Sequence, residues 1–374
     1  MRTRAAILEA SGLARPYARS RPLTIAEIDL APPQRGEALV RIAAAGLCHS
    51  DLSVINGDRP RPTPMALGHE AAGVVEGLGE GVDDLVIGDH VVMVFVPSCG
   101  CCGPCAEGRP ALCEPGAKAN NAGEMLGGGR RIRRNGQDIH HHLGVSAFAE
   151  HAVVSRRSLV KVTKDLKLTE AALFGCAVLT GVGAVANTAR IEAGASVAVI
   201  GLGGVGLAAL LGAAACGAAR IVAVDLEPAK LATARQLGAS DAVNARDEHA
   251  VQQIRDLTSG GVDYAFEMAG SAKALELAYA ITRRGGTTVT AGLPNPTQRM
   301  QLPPVSLVAE ERTLRGSYVG SCVPSRDIPR YIALYRQGRL PIDRLLSETI
   351  ALDDINAAFD RLADGQTIRQ VIAF

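Results

Sequence analysis

Hydrophobic and polar residues follow three different patterns along the chain. From residue 1 to 177, short alternating runs such as "EALVRIAAAG" and "HAVVS" are interrupted by many Gly and Pro residues, which predicts irregular, mostly antiparallel β structure. From 178 to 320, apolar strands alternate with Gly-rich turns and helices, as in "SVAVIGLGGVGLAALLGAAACGAARIVAVDLEPAKLATARQLGA". This pattern predicts a parallel, doubly wound sheet. From 321 to 374, amphipathic helices precede a final strand.

These changes in pattern predict an α/β protein of two domains. A chain of 374 residues is longer than one hydrophobic core usually organises. We predict that residues 1–177 and 321–374 form one domain, and that residues 178–320 form a Rossmann-type dinucleotide-binding domain. The chain shows no internal repeat, low-complexity segment or coiled coil.

Composition argues against several classes of partner. Hydrophobic residues make up 47% of the chain and charged residues 21%, with a formal net charge of +1, so nothing draws the protein as a whole toward nucleic acid or a membrane. No apolar run reaches the length of about eighteen residues that a transmembrane helix needs, and the basic N-terminal segment lacks the apolar core of a secretory signal. We therefore expect a cytoplasmic protein.

The cysteines point to a metal, because a reducing compartment disfavours disulfides. The stretch "CGCCGPCAEGRPALC" holds five of the nine cysteines of the chain. Four of them, Cys99, Cys102, Cys105 and Cys113, have the spacing of a structural zinc site, in which four thiolates close a tetrahedron. The adjacent Cys101 should point away. The alternative, reduced thiols on an exposed loop, is disfavoured because such thiols oxidise.

A second motif indicates a dinucleotide. Gly201, Gly203 and Gly206 form G-x-G-x-x-G between a predicted strand and a predicted helix, where backbone and helix N-terminus meet a pyrophosphate. Asp225 ends the next strand, and its carboxylate can bind the adenosine ribose but repels a 2′-phosphate. NAD is therefore favoured over NADP, with Lys230 as a further ribose contact. The alternative is a Gly-rich turn with a helix-capping Asp.

Three scattered residues form a second candidate metal set: Cys48 in "GLCHSDLS", His69 in "LGHEAAG" and Cys176 in "FGCAVLTG". Two thiolates and one imidazole neutralise Zn²⁺ and leave a fourth position open for substrate, as in catalytic zinc sites. Each residue alone is better explained as a buried core residue.

The chain resembles the zinc-dependent medium-chain alcohol dehydrogenase family, in its long-loop form with two zinc ions per chain. The resemblance runs from about residue 5 to Phe374 and is carried by "GHEAAGVV", the four-cysteine segment, "IHHHLGVSAFAEHAVV", "GLGGVGLAAL" and "TIRQVIAF". It implies a GroES-like catalytic domain, catalytic zinc on the scattered set and structural zinc on the four cysteines. Asp51 would orient His69, and Glu70 would lie behind the metal.

The same resemblance implies further roles. Ser50 would take the proton of the alcohol while hydride passes to NAD, and zinc would polarise the substrate oxygen. Residues that would contact the cofactor are His49 and Arg369 at the pyrophosphate, Thr180 near the nicotinamide, and Gly204 and Val205 within the glycine turn. A homodimer formed through the edge of the cofactor domain is also implied.

Departures from the family bear on the substrate. Glutathione-dependent formaldehyde dehydrogenases carry an arginine at the position of Ala117 and an acidic pair where this chain has Arg59 and Arg61, which disfavours a glutathione adduct. Many relatives have a histidine at the position of Ser53, where it hands the proton to water. The resemblance places these residues around the substrate channel: Arg59, Phe95, Lys118, His142, Leu143, Leu293 and Tyr318. Alternatively, Arg59, Lys118 and the basic turn "GGGRRIRRNG" are only solvated surface.

The sequence thus predicts an NAD-dependent zinc alcohol dehydrogenase that interconverts an alcohol and an aldehyde or ketone. The alternatives are a thiol-adduct formaldehyde dehydrogenase and a catalytically silent nucleotide-binding relative. A complete catalytic ligand set with Ser50 beside it argues against silence, because a binding protein needs no open metal position.

Overall fold

A computed structural model describes all 374 residues. Its strands are β1 (Arg2–Leu8), β2 (Leu23–Leu30), β3 (Glu37–Gly46), β4 (Met65–Ala66), β5 (Glu70–Leu78), β6 (His90–Met93), β7 (Ile132–Arg134), β8 (Gln137–His141), β9 (His151–Ser155), β10 (Leu159–Val162), β11 (Ser196–Ile200), β12 (Arg220–Asp225), β13 (Asp241–Asn244), β14 (Val262–Glu267), β15 (Thr282–Thr290), β16 (Thr313–Gly316), β17 (Leu346–Ile350) and β18 (Arg369–Ala373).

The α-helices are α1 (Tyr17–Ser20), α2 (His49–Ile55), α3 (Gly103–Ala106), α4 (Glu114–Ala122), α5 (Leu168–Ala171), α6 (Ala177–Gly183), α7 (Gly204–Ala215), α8 (Pro228–Gln236), α9 (Ala250–Leu257), α10 (Ala272–Ile281), α11 (Pro304–Ala309), α12 (Pro324–Arg336) and α13 (Ile355–Ala363). A π-helical segment, Ala184–Ala189, follows α6. Short 3₁₀ turns include Ala172–Gly175 and Ile342–Leu345, whereas Val319–Ser321 is a short turn with positive φ values.

The chain divides into two compact units. The first comprises residues 1–176, 323–329 and 346–374, and the second comprises residues 177–322 and 330–345. The sequence prediction differs for residues 177, 321–322 and 330–345, which it assigned to the first unit and which belong to the second. The reason is packing: Arg339 donates a hydrogen bond to the carbonyl of Ala215 at 2.9 Å, and Arg344 donates to that of Gln236 at 3.1 Å.

The first unit is mostly antiparallel β structure, as the interrupted alternating runs predict. Strands β1, β2, β7, β8 and β4 close a barrel. A second sheet has the order β10-β6-β5-β3-β18-β17, and β9 also pairs with β3. Apolar side chains from β1, β2, β7 and β8, among them Ile7, Ile28, Ile132 and Ile139, fill the barrel core.

The second unit confirms the predicted doubly wound parallel sheet. Its six strands have the order β13-β12-β11-β14-β15-β16, and every neighbouring pair is parallel. Residues such as Ile200, Val222, Val224 and Ile254 lie in one buried cluster between sheet and helices. Continuous apolar strands are expected here, because helices cover parallel sheets on both faces.

No single helix is long and apolar enough to cross a membrane. One bent pair of helical segments, Leu168–Gly175 with Ala177–Ala189, is long and apolar enough for a membrane span when taken together, by length and composition only.

Candidate active site and metal sites

Cys48, His69 and Cys176 come together in the first unit. Cys48 lies between β3 and α2, His69 directly precedes β5, and Cys176 follows the 3₁₀ turn Ala172–Gly175. All three are buried, and their two sulfurs and one ring nitrogen lie within 4.8 Å of one another. Chain segments far apart in sequence thus converge on one point, which the sequence predicted only through resemblance.

The state of His69 fits a metal at this point. Its Nδ1 lies 3.0 Å from Asp51 Oδ1, while its buried Nε2 has no hydrogen-bond partner. An unpaired buried ring nitrogen is costly, and zinc would satisfy it together with the two sulfurs. Burial lowers the pKa of His69, but Asp51 and Cys48 outweigh it and raise the pKa to about 10 in the metal-free protein.

The two cysteines share their protons unequally. A hydrogen bond from Cys176, opposed by burial, leaves the pKa of Cys48 well below its usual value, with help from the charges of Arg369 and His69. The same bond, together with burial, raises the pKa of Cys176 well above its usual value. The Cys48 thiol is therefore the more acidic of the two. Zinc binding must release the proton of Cys176 and, because the pKa of His69 is about 10, one proton of the His69 ring as well.

Glu70 and Arg369 form a buried ion pair beside this set. Arg369 Nη2 lies 3.2 Å from Glu70 Oε2, and Nη1 donates to the carbonyl of Leu47 at 2.6 Å. Gly46 leaves the space that Glu70 occupies, since a Cβ there would collide with its carboxylate. Burial opposes the charge of Arg369, but Glu70 and the two cysteines raise its pKa. The pyrophosphate role of this buried residue stays a prediction.

Asp51 is shared between two histidines, a feature that the sequence did not indicate. His142 Nδ1 lies 3.2 Å from the same Asp51 Oδ1 that His69 contacts, although not in the orientation of a well-formed hydrogen bond. The His142 ring packs edge-on against His69 at 5.6 Å, and Phe95 does so at 5.1 Å. Burial lowers the pKa of His142, so a neutral imidazole is favoured beside the ligand set.

Helix α2 carries the residues predicted to handle the proton. Cys48 is its N-cap, and Ser50 is half-buried with a hydroxyl that makes no hydrogen bond to the protein. The Ser53 hydroxyl donates to the carbonyl of His49 at 2.8 Å, and His49 itself is exposed. Ser50 is thus the available hydroxyl, and Ser53 is engaged with backbone.

The remaining channel residues vary in exposure. Leu143 is buried in the left-handed region at φ 54°, Arg59 is half-buried, and Lys118 is exposed. In the second unit, Leu293 and Tyr318 are exposed. Their assignment to a channel stays a prediction.

Most of the predicted basic surface is paired with carboxylates or amides. Arg133 binds Asp138 at 2.8 Å, and Arg61 donates to the side chain of Asn121 at 2.8 Å. Arg131 is not surface at all: it is buried and donates to both oxygens of Glu37, at 2.7 and 2.8 Å.

The four-cysteine segment folds as its spacing predicts. The sulfurs of Cys99, Cys102, Cys105 and Cys113 lie within 4.8 Å of one another. Backbone amides of Cys101 and Cys102 donate to the Cys99 sulfur and lower its pKa to about 6, whereas burial chiefly raises that of Cys105 to about 12. Cys101 is exposed and outside the group. Four sulfurs with no open position fit structural zinc.

The glycine turn of the second unit has the shape that a dinucleotide needs. Gly201 has φ 90°, and a Cβ at Gly206 would collide with the carbonyl of Gly201. Helix α7 begins at Gly204 after Gly203, beside which the space is open. The first-turn amides of Gly204, Val205 and Gly206 lack intrahelical acceptors, as at any helix N-terminus, and they can bind phosphate oxygens.

Asp225 lies at the end of β12, at the edge of this turn. Its carboxylate accepts hydrogen bonds from the amides of Leu202 at 2.7 Å and Glu227 at 3.0 Å. Two amide donors hold the charge in place next to the glycines. Lys230 on α8 is half-buried, and Thr180 on α6 is buried.

Comparison with known proteins agrees with both units. A model of the alcohol dehydrogenase GroES-like domain matches residues 34–164, and a model of the zinc-binding dehydrogenase matches residues 204–337. An S-(hydroxymethyl)glutathione dehydrogenase from Synechocystis is 39% identical over 358 residues, covering 95% of this chain and 97% of that protein.

Two crystal structures resemble the whole chain. An alcohol dehydrogenase zinc-binding domain protein from Burkholderia ambifaria is 36% identical with a TM-score of 0.94, covering 100% of this chain and 99% of that one. Benzyl alcohol dehydrogenase from Acinetobacter calcoaceticus is 32% identical with a TM-score of 0.93 at the same coverage.

Proposed function

Because the chain belongs to the zinc-dependent medium-chain alcohol dehydrogenase family, we propose that it interconverts an alcohol and an aldehyde or ketone with NAD as the hydride carrier. The observation that supports this most directly is the buried Cys48, His69 and Cys176 set, in which His69 Nε2 has no partner. The unbonded Ser50 hydroxyl lies on the helix that Cys48 caps.

The residues divide the chemistry among them. Zinc on Cys48, His69 and Cys176 would supply Lewis-acid polarisation of the substrate oxygen, and NAD would supply the hydride acceptor. Ser50 accepts the alcohol proton. Asp51 holds the His69 ring through Nδ1, as carboxylates do for ligating histidines, which leaves the unpartnered Nε2 as the nitrogen that would bind zinc.

Charge balance supports the same assignment. Two thiolates neutralise a divalent ion, and the Glu70–Arg369 pair adds no net charge beside them. Loss of the alcohol proton would therefore place negative charge on the substrate oxygen, and hydride transfer would remove that charge together with the positive charge of the oxidised nicotinamide.

NAD rather than NADP is proposed because Asp225 fixes a carboxylate beside the glycine turn. A 2′-phosphate would meet that charge directly.

The second candidate is a thiol-adduct formaldehyde dehydrogenase, which the name of the Synechocystis relative favours. Against it stand Ala117, where those enzymes carry arginine, and Arg61, which replaces an acidic residue and is engaged with Asn121. The benzyl alcohol dehydrogenase instead supports an aromatic alcohol as substrate.

One experiment separates the candidates. NADH formation should be followed with a panel of short, aromatic and anionic alcohols, and with formaldehyde in the presence and absence of glutathione. We expect turnover of alcohols without glutathione. Turnover only of formaldehyde with glutathione supports the thiol-adduct enzyme, and no turnover of any substrate supports a silent relative. Cys48→Ser should abolish activity.

Lys118→Ala and Arg59→Ala test the polar channel in the same panel. Loss of kcat/KM for anionic alcohols alone supports it, and unchanged values show that both residues are surface only.

We also propose two zinc ions per chain, bound in a reducing compartment such as the cytoplasm, where the thiolates persist. Elemental analysis should give about two zinc ions in the wild type. Cys176→Ser and Cys105→Ser should each remove one.

A homodimer is proposed from the edge of the second unit's sheet. Strand β16 has a neighbour on one side only, and Val305 and Val308 on α11 are 71% and 80% exposed. An unpaired edge strand next to exposed apolar residues favours pairing with a second copy. Light scattering should give a dimer mass, and Val308→Glu should weaken the dimer.

A further inference from the structure

A turn near the end of the second unit contains three consecutive residues in the left-handed region. Val319, Gly320 and Ser321 have φ values of 51°, 65° and 49°. This conformation is strongly disfavoured for a β-branched residue such as Val319. Such residues persist only where surrounding contacts hold them, and they concentrate at ligand-binding sites.

One hydroxyl connects the two sides of this turn. Thr188 Oγ1 lies 2.8 Å from Ser317 Oγ and 2.9 Å from Ser321 Oγ. Thr188 is only 2% exposed and belongs to the π-helical segment Ala184–Ala189. π-Helical turns are rare and are frequently found at functional sites. Here the wider turn presents Asn187 and Thr188 to the same loop.

Asn187 adds a second set of contacts. Its Nδ2 lies 3.4 Å from the carbonyl of Gly320 and 3.3 Å from the sulfur of Cys322. The Cys322 thiol in turn donates to the carbonyl of Leu179 at 3.1 Å. At Gly320, a Cβ would collide with the same Leu179 carbonyl. The turn is therefore packed directly on the helix that carries Thr180.

We propose that Asn187 and Thr188 are positioning residues that hold the Tyr318–Cys322 turn in its left-handed form and thereby set the affinity for the nicotinamide end of the cofactor. The inference rests on the proposed function, in which Thr180 lies near the nicotinamide. A turn fixed before the cofactor arrives spares the cost of ordering it upon binding. Without the hydroxyl bridge, only a fraction of molecules would hold the competent form, and the apparent affinity would fall by that fraction.

The test compares Thr188→Val, which removes the hydroxyl but keeps the shape, with Thr188→Ser, which retains the hydroxyl. In Thr188→Val we expect the Kd for NADH, measured by fluorescence, to rise about tenfold, as for one lost buried hydrogen bond. Amide hydrogen exchange across residues 317–322 should be faster in the cofactor-free protein. Thr188→Ser should restore both to near wild-type values.

Thr288→Val is the matched control. Thr288 is also a buried threonine of the second unit, and its Oγ1 lies 2.7 Å from Thr282 Oγ1 on the same strand. Loss of the Thr288 hydroxyl should lower the Tm of the protein without changing the Kd for NADH.

Two results would overturn the proposal: a Thr188→Val protein with wild-type Kd and exchange, or a Thr288→Val protein with the same rise in Kd. If Thr188→Val does not fold, Ser321→Ala removes one arm of the bridge from an exposed position. It should give a smaller rise in Kd with faster exchange, and unchanged values contradict the proposal. A wild-type protein that does not bind NADH overturns the proposed function as well, whereas normal wild-type binding with an unaffected variant overturns this inference alone.

Discussion

Replacing Asp51 by Asn should weaken zinc binding at the Cys48, His69 and Cys176 set alone. Asp51 is fully buried, and its Oδ1 accepts from the His69 ring at 3.0 Å and from the amide of Gly68 at 3.3 Å. Its Oδ2 has no partner. An Asn side chain can keep its oxygen at the Oδ1 position, but its amide group then occupies the unpartnered Oδ2 position with two buried N–H donors unsatisfied.

The size of the effect follows from the lost charge. Changing a partner of this kind typically lowers metal affinity 10- to 100-fold, which corresponds to about 1.4–2.8 kcal/mol. Competition with a coloured chelator measures it directly. The four-cysteine site is an internal reference, since it does not contact Asp51. The chelator should therefore extract the zinc ion of that site with the same curve in Asp51→Asn as in wild type.

His142→Phe is the second control. It removes the other imidazole at Asp51 Oδ1 but leaves the His69 contact intact, so zinc binding should stay within about twofold of wild type, as for a lost contact without a formed hydrogen bond. If Asp51→Asn gives a wild-type chelation curve for both ions, the hydrogen bond to His69 does not tune the metal and the assignment of Asp51 is wrong.

Three further outcomes are expected. Wild type should favour NAD over NADP by about two decades in kcat/KM, roughly 3 kcal/mol. Asp225→Ser should reduce this ratio of the two kcat/KM values. Equal use of both cofactors by wild type contradicts the role of Asp225. Ser53→His should raise alcohol oxidation most near neutral pH, where imidazole accepts protons and a serine hydroxyl cannot; superimposable profiles of kcat/KM against pH refute this. Asp263→Asn should cost about 1–2 kcal/mol of unfolding free energy in urea at neutral pH, because the carboxylate accepts from Ser196 and Arg283. Burial alone would raise the pKa of Asp263, but these hydrogen bonds outweigh burial and hold the pKa below its usual value. The stability that the carboxylate contributes is therefore fully present above the usual pKa of Asp and is lost as the pH falls through the pKa of the folded protein. A stability difference between wild type and Asp263→Asn that persists unchanged in acid would contradict this prediction.

Features set by neighbouring residues could be predicted from the sequence. The cysteines of the four-cysteine segment lie within fifteen residues of one another. Turns such as the one in which the Cys102 amide donates to the Cys99 sulfur depend only on local geometry. The glycine turn is similar, because the collision of a Cβ at Gly206 with Gly201 arises within six residues. In both cases the spacing of residues along the sequence is enough to predict the local structure.

Features set by distant packing could not be predicted in this way. The amphipathic pattern of residues 330–345 shows that one face is buried, but not which unit buries it. Helix α12 begins in the first unit and ends in the second. The contact of His142 with Asp51 is of the same kind, since 91 residues separate them. The hydrophobic pattern of a segment indicates that one of its faces is buried, whereas the residues that it packs against depend on the topology of the chain.

The dipeptide His69–Glu70 shows how a local rule and a distant contact combine at the candidate active site. Successive residues along an extended chain point to opposite sides, so His69 faces Asp51 and the cysteines while Glu70 faces Arg369. The register is set by pairing of Glu70 with Gly46, and only glycine leaves room for the carboxylate there. A slip of one residue would turn each side chain to the opposite face, which would take the imidazole away from Asp51 and the carboxylate away from Arg369. The β3–β5 register therefore determines which side chains face the candidate metal site as much as the identity of those residues does.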